Sequence, residues 1–274
     1  ILSSRLNLGL YGVNAACATI FLAGLYRFAA RELRPILMLA IATPYLVTVV
    51  AMGYTRQGTA IGCILFGLCA LRDGRPLRFL ASVVAAMMFH RSALVLAPLA
   101  YFATSTTPGR GRQALRGATA IGAALALYSA ASDDIEQLWS FYVTSDHYQS
   151  SGALLRSLMG AAAAGVVFVF RNEWKQRWSD GPVWLTFSVA SIVSVPLSFI
   201  ASTAVDRIGL YLIPLQLVAF TRLPDLAKSR DATTVLLTGV LAAYALPLVA
   251  WLHFGQFASV LWLPFRSLVY GEFP

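Results

Sequence analysis

The chain has 274 residues, 58% of them hydrophobic and only 12% charged, with a formal net charge of +9 and a mean hydropathy of +0.69. Apolar blocks of roughly 15 to 25 residues alternate with short basic clusters, which excludes a water-soluble domain and describes an all-α polytopic integral membrane protein. The 21 basic residues fall in triplets between apolar blocks and form no continuous stripe, so they read as topology charge and exclude a nucleic-acid partner.

A hydrocarbon core about 30 Å thick needs about 20 helical residues, fewer where helices are broken. On that basis the sequence predicts about nine to ten membrane segments, at 8–26, 35–52, 57–71, 79–89, 92–102, 115–131, 154–170, 183–203, 208–220 and 233–254. They form one membrane domain over 1–274, with an outer loop at 132–153 and a C-terminal tail at 255–274. A start at Ile1, without an initiator methionine or signal-peptide pattern, predicts truncation at the N-terminus. Cys17, Cys63 and Cys69 lie inside apolar segments, are odd in number and lack ligand spacing, which makes them inert buried thiols. His147 and His253 have no companion ligands either, so no metal and no cofactor is expected.

The basic clusters set the orientation. Arg27, Arg31 and Arg34; Arg72, Arg75 and Arg78; Arg110, Arg112 and Arg116; Arg171, Lys175 and Arg177; and Arg222, Lys228 and Arg230 mark five cytoplasmic loops. They share one side only if the chain crosses an even number of times between Arg78 and Arg110. The apolar run around His90-Arg91 is therefore expected to fold into a hairpin. Its first arm, 79–89, spans only about 16 Å at 1.5 Å per residue. Irregular backbone at that depth survives where it is buried in protein or lines a wet cavity. Because an arginine near a helix centre costs about 2.5 to 3.5 kcal/mol on insertion scales, the His90-Arg91 pair needs a functional reason.

Six basic residues lie outside the five clusters: Arg5, Arg56, Arg91, Arg156, Arg207 and Arg266. All fall on the outer side in this topology, against the positive-inside bias, and anionic ligands are the usual reason for such a placement. Snorkelling to lipid headgroups is the simpler alternative for Arg56 and Arg207, as a structural pair is for Asp206-Arg207. The loop at 132–153 mixes Asp133, Asp134, Glu136 and Asp146 with Trp139, Phe141, Tyr142 and Tyr148, a composition that suits either an interfacial aromatic belt or a sugar-binding surface. Gln57, Tyr211 and Gln216 read as interhelical hydrogen-bond partners or as substrate ligands. No Gly-x-Ser-x-Gly elbow is present, and Ser92 beside His90 does not make a triad. A membrane acyltransferase and a lipid-linked oligosaccharide or anion transporter remain the competing readings; the transporter is disfavoured because one broken segment has no counterpart in the other half.

Four segments in order, Tyr54-Thr55-Arg56-Gln57-Gly58, Arg75-Pro76-Leu77-Arg78 leading into Phe89-His90-Arg91-Ser92, Tyr148-Gln149-Ser150-Ser151-Gly152 leading into Arg156, and Asp206-Arg207-Ile208-Gly209-Leu210-Tyr211, resemble the EpsG family of Wzy-type bacterial polysaccharide polymerases. The likeness runs from about Tyr11 to Arg222. Family members often carry His-Pro-Ser where this chain has His90-Arg91-Ser92, which ties the resemblance to His90 more than to Arg91. The resemblance implies a multi-pass protein of the bacterial inner membrane that joins polyprenyl-pyrophosphate-linked oligosaccharides on the outer leaflet. Its other expected partners are the bilayer and further polysaccharide export proteins.

Such a reaction demands stabilisation of a pyrophosphate leaving group, and guanidinium groups are suited to it because they stay protonated and grip phosphate oxygens bidentately. The resemblance thus puts Arg56 and Arg207 on the pyrophosphate. His90, or Asp206 after it, would accept the proton of the attacking hydroxyl, with Asp133, Asp134 and Asp146 of the outer loop as alternatives. Gln57, Arg91, Tyr148, Gln149, Arg156, Tyr211 and Arg266 are the expected substrate contacts.

Overall fold

The computed structural model describes residues 9–102, 122, 152–255 and 258. The expected segment at 115–131, the loop at 132–153 and the tail at 255–274 lie almost wholly outside them. In chain order the elements are α1 (Gly9–Ala29), α2 (Pro35–Ala42) continuing as a π-helix (Thr43–Ala51), α3 (Thr55–Arg72), α4 (Pro76–Phe89), a 3-10 helix (Arg91–Phe102), α5 (Ala153–Val169), α6 (Arg171–Arg177), α7 (Gly181–Leu197), α8 (Ser202–Gly209), α9 (Ile213–Arg222) and α10 (Arg230–Phe254). Short 3-10 turns at Leu210–Leu212 and Leu223–Leu226 follow α8 and α9. Among the described residues every regular element is helical, and the chain is an all-α polytopic membrane protein.

Among the described residues three helices are long and apolar enough to cross a bilayer alone, Leu10–Ala29, Ser202–Leu226 and Arg230–Phe254, and a fourth crossing joins α5 to α6 across a 74° bend. Pro35–Ala51, Pro76–Phe89, Arg91–Ala100 and Gly181–Leu197 are shorter apolar helices. The expected break before Ile208 is absent: α8, its 3-10 turn and α9 run on as one span, so Asp206 and Arg207 sit on a helix. The break falls instead between Leu197 and Ser202, after Pro196 in the last turn of α7.

Local chemistry explains the irregular pieces. Proline opens α2, α4, α7 and α9 at their first turns, where its missing N–H has no partner to lose. Pro44, deeper in the second span, removes an interior donor, and the chain widens there into the π-helix. Thr48 supports the widened turn by donating its hydroxyl to the Thr43 carbonyl at 2.9 Å. The hairpin arms are longer than the sequence suggests. Helix α4 begins at Pro76 and spans about 21 Å, and the second arm is drawn out as a 3-10 helix of about 24 Å. At His90 the backbone turns extended (φ −149°, ψ 113°), and the two arms pack on each other.

Helix α3 is the centre of the bundle, packed by α1, α4 and the π-helix, while α5, α7, α8 and α9 form a second group. The α1–α3 crossing depends on Gly24 and Gly62. A Cβ on Gly62 would stand 2.6 Å from the Phe21 Cα, and one on Gly24 would meet the Gly62 carbonyl.

One end of the bundle gathers four of the five basic clusters. Arg222, 1% exposed, donates from Nε and Nη2 to Glu32 at 2.8 and 3.0 Å and from Nη1 and Nη2 to Asp180 at 2.9 and 2.8 Å. Arg72 pairs with the same two carboxylates at 2.8 and 3.0 Å. The Trp178 and Trp174 rings face the Arg222 guanidinium at 4.6 and 5.1 Å. Two further pairs, Arg31–Asp73 and Arg34–Asp225, rim this cluster. Burial alone would push the Asp180 carboxyl up, but the hydrogen bonds and charge of Arg222, with the charge of Arg72, outweigh it and hold the group below its ordinary value.

Two outcomes are expected. Gly62→Leu forces α1 and α3 apart and should lower stability by at least about 1–3 kcal/mol, measured as thermal unfolding in detergent; an unchanged midpoint would show that the helices do not cross there. A carboxylate depressed in the folded state adds stability above its unfolded pKa that is lost as pH falls through the folded value. Stability should therefore hold from neutral pH to about pH 4 and fall below it. Asp180→Asn, which leaves buried arginine charge uncompensated, should remove about 3–5 kcal/mol at neutral pH and flatten the acid limb.

Candidate active site opposite the basic loops

Helix α3 carries the chain from the ionic cluster at Arg72 to Gln57, about 22 Å away along its axis. There a second polar group assembles. The buried Gln57 Nε2 donates to the main-chain carbonyl of Arg207 at 2.7 Å, tying the start of α3 to α8. Asp206, one residue earlier on α8, forms an ion pair with Arg156 from the first turn of α5. Tyr45, on the π-helix, lies within interaction distance of both members of that pair. Three separate stretches of sequence thus hold the Arg156–Asp206 pair.

Gly152, at the N-terminus of α5, explains how Arg156 lies. A Cβ there would stand 2.6 Å from Arg156 Nη1, so the guanidinium lies folded back against Gly152. This gives the Gly152-to-Arg156 spacing a structural meaning.

The hairpin tip completes the group. His90 is half-buried and lies within electrostatic reach of Arg207. Its Nδ1 is 2.6 Å from Ser92 Oγ. Tyr211, fully buried, tilts against the imidazole with ring centroids 6.3 Å apart. Beside these residues, between the 3-10 helix, α7 and α8, runs an apolar groove of about 320 Å³ whose walls include Leu96, Leu99, Phe187, Val205, Ile208 and Tyr211.

Of the residues expected from sequence, Gln57, His90, Arg156, Asp206, Arg207 and Tyr211 come together here. Gln57 and Tyr211 stand behind the surface, 4% and 0% exposed. Arg56 is exposed beside Gln57, and Arg91 is exposed at the start of the 3-10 helix. Tyr148, Gln149 and Arg266 lie outside the described residues. Tyr45 and Ser92 had not been assigned roles. A tyrosine next to Pro44 in a membrane helix, and a hydroxyl two residues from the intramembrane histidine, are the signals that point to them. No group of three or more His, Cys, Asp or Glu side chains among the described residues forms a metal site.

The Arg156–Asp206 pair is testable by itself. A double-mutant cycle with Arg156→Gln and Asp206→Asn should show a coupling of about 0.5–3 kcal/mol in thermal unfolding; additive effects would mean that the two side chains do not meet.

No curated protein and no solved structure matches the chain. The EpsG family model matches residues 1–267, a stretch that contains every element and site residue described above. The chain belongs to the EpsG family.

Proposed function

We propose that the protein is a polysaccharide polymerase of the bacterial inner membrane, a multi-pass glycosyltransferase that joins polyprenyl-pyrophosphate-linked oligosaccharide repeat units on the outer face. Family membership supports the polymerase class. The observation that carries the finer reading is the meeting of His90, Arg156 and Arg207 beside an apolar groove, at the end of the bundle away from the basic loops. An anionic head on an apolar chain is the chemistry that guanidinium groups next to such a groove would accept.

In this reaction the bond from the sugar anomeric carbon to the pyrophosphate oxygen breaks. A glycosidic bond forms to a hydroxyl of the next repeat unit, whose proton passes to a phosphate oxygen of the leaving group or to water at the outer face, and polyprenyl pyrophosphate leaves. Arg207, with the exposed Arg56 beside Gln57 on α3 and the exposed Arg91 beside His90 at the hairpin, stabilises charge building on the leaving group. Asp206 orients Arg156 and so is not the free base of the site. The ionic cluster around Arg222 weighs against translocation, because alternating access would have to open buried pairs whose disruption costs several kcal/mol.

The test is reconstitution with a defined polyprenyl-pyrophosphate repeat unit. Chain extension is expected from the wild type, with Arg207→Ala and His90→Ala slowed about 10²–10³-fold. Undiminished polymer from both variants would contradict the site, and lipid-linked substrate crossing the membrane without new glycosidic bonds would contradict the reaction.

A further inference from the structure

The Tyr211 hydroxyl is fully buried, finds no well-formed hydrogen bond among the described residues, and faces the hydroxyl of Ser92. Ser92 Oγ in turn lies 2.6 Å from His90 Nδ1. Three polar groups, Tyr211, Ser92 and His90, are therefore lined up with two hydroxyl protons to distribute. If Nδ1 carried the imidazole proton, it would donate to Ser92; then either Ser92 donates to Tyr211 and the buried tyrosine proton has no acceptor, or Ser92 accepts from both neighbours and its own proton has none among the described residues. Run the other way, Tyr211 donates to Ser92 and Ser92 donates to a bare Nδ1; every proton is used and only an acceptor lone pair on Tyr211 is left over. Orphaned donors are rarer in buried sites than under-used acceptors.

We infer that Ser92 and Tyr211 are positioning residues that fix the neutral His90 imidazole as its Nε2–H tautomer. His90 then presents a hydrogen-bond donor to the site, where the sequence had suggested a proton acceptor. The tautomer rests only on the local geometry. Its use rests on the function proposed above, in which the Nε2–H joins the guanidinium groups as a donor to the departing pyrophosphate. Tyr211 accordingly works from behind the histidine and does not touch substrate.

The chain carries its own reference for the experiment, because His253 Nδ1 lies 2.8 Å from the Val249 carbonyl and can only be its donor. Solid-state ¹⁵N NMR of histidine-labelled protein in bilayers, with His90 assigned by its loss in His90→Gln, should show a bare, hydrogen-bonded Nδ1 at His90 and a protonated Nδ1 at His253. Ser92→Ala should shift the His90 Nδ1 signal to that of a nitrogen without its donor, and Ser92→Thr should restore it. Tyr211→Phe, which removes the proton that dictates the sense of Ser92, should let a second, Nδ1-protonated population appear, with the His253 signals unmoved. A protonated Nδ1 at His90 in the wild type, or His90 signals indifferent to Ser92→Ala and Tyr211→Phe, would overturn the assignment. A second arm reads the use of the donor: His90→Gln keeps an amide N–H near the Nε2 position and should polymerise about tenfold faster than His90→Ala. Equal rates for the two variants would overturn the donor role. The NMR arm stands whether or not the protein polymerises, so failure of the tautomer and failure of the proposed function are separable.

Discussion

Arg222 makes four hydrogen bonds to Glu32 and Asp180 in the interior of a largely apolar bundle. A guanidinium this deeply buried is tolerated only when its charge and its donors are both satisfied. Glu32 follows α1, Arg72 ends α3, Asp180 precedes α7 and Arg222 ends α9. One neutral set of two cations and two carboxylates thus fixes four chain segments at the same end. Once these are tied, α3 must run through the centre, and the segments that leave it must turn back at the other end. The Gly24–Gly62 crossing and the hairpin at His90 are how the chain meets that requirement.

The two ends are built differently. At the basic end Arg72 and Arg222 share Glu32 and Asp180, and at the other end Arg156 takes up Asp206 and the side chains of Arg56, Arg91 and Arg207 are exposed. Helical irregularity also concentrates there. The π-helix that carries Tyr45, the extended residue at His90 and the long 3-10 helix all depart from α geometry on the site side. Departures of this kind aim side chains that a regular helix would bury elsewhere. The apolar groove beside Tyr211 follows from the same irregularity, because the slender 3-10 arm lies between α7 and α8.

Much of this plan was legible from residue patterns. Apolar block lengths gave the class, basic loops gave the shared end, and parity at Arg78 and Arg110 gave the hairpin. What stayed hidden depended on long-range partners. Glu32 and Asp180 sit in loops dominated by arginine, and nothing local marks them as the acceptors for a residue some 40 or 190 positions away. Asp206 looked like a partner for Arg207 because they are adjacent, yet neighbours on a helix point apart, and the carboxylate meets Arg156 instead. The expected crossing at 208–220 began too late because a charged pair was read as a boundary; on α8 the pair is tolerated by Arg156 and Gln57. The continuous α-helix expected at 35–52 ignored what Pro44 does to the turn before it.

The most direct test of the account is a cryo-EM structure of the protein in a lipid nanodisc with polyprenyl pyrophosphate. The pyrophosphate is expected within hydrogen-bond distance of the Arg207 guanidinium and His90 Nε2, with the prenyl chain leading into the groove between the 3-10 helix and α7. A pyrophosphate bound instead at the basic end, against Arg75 or Arg230, with that groove unfilled by lipid, would contradict it.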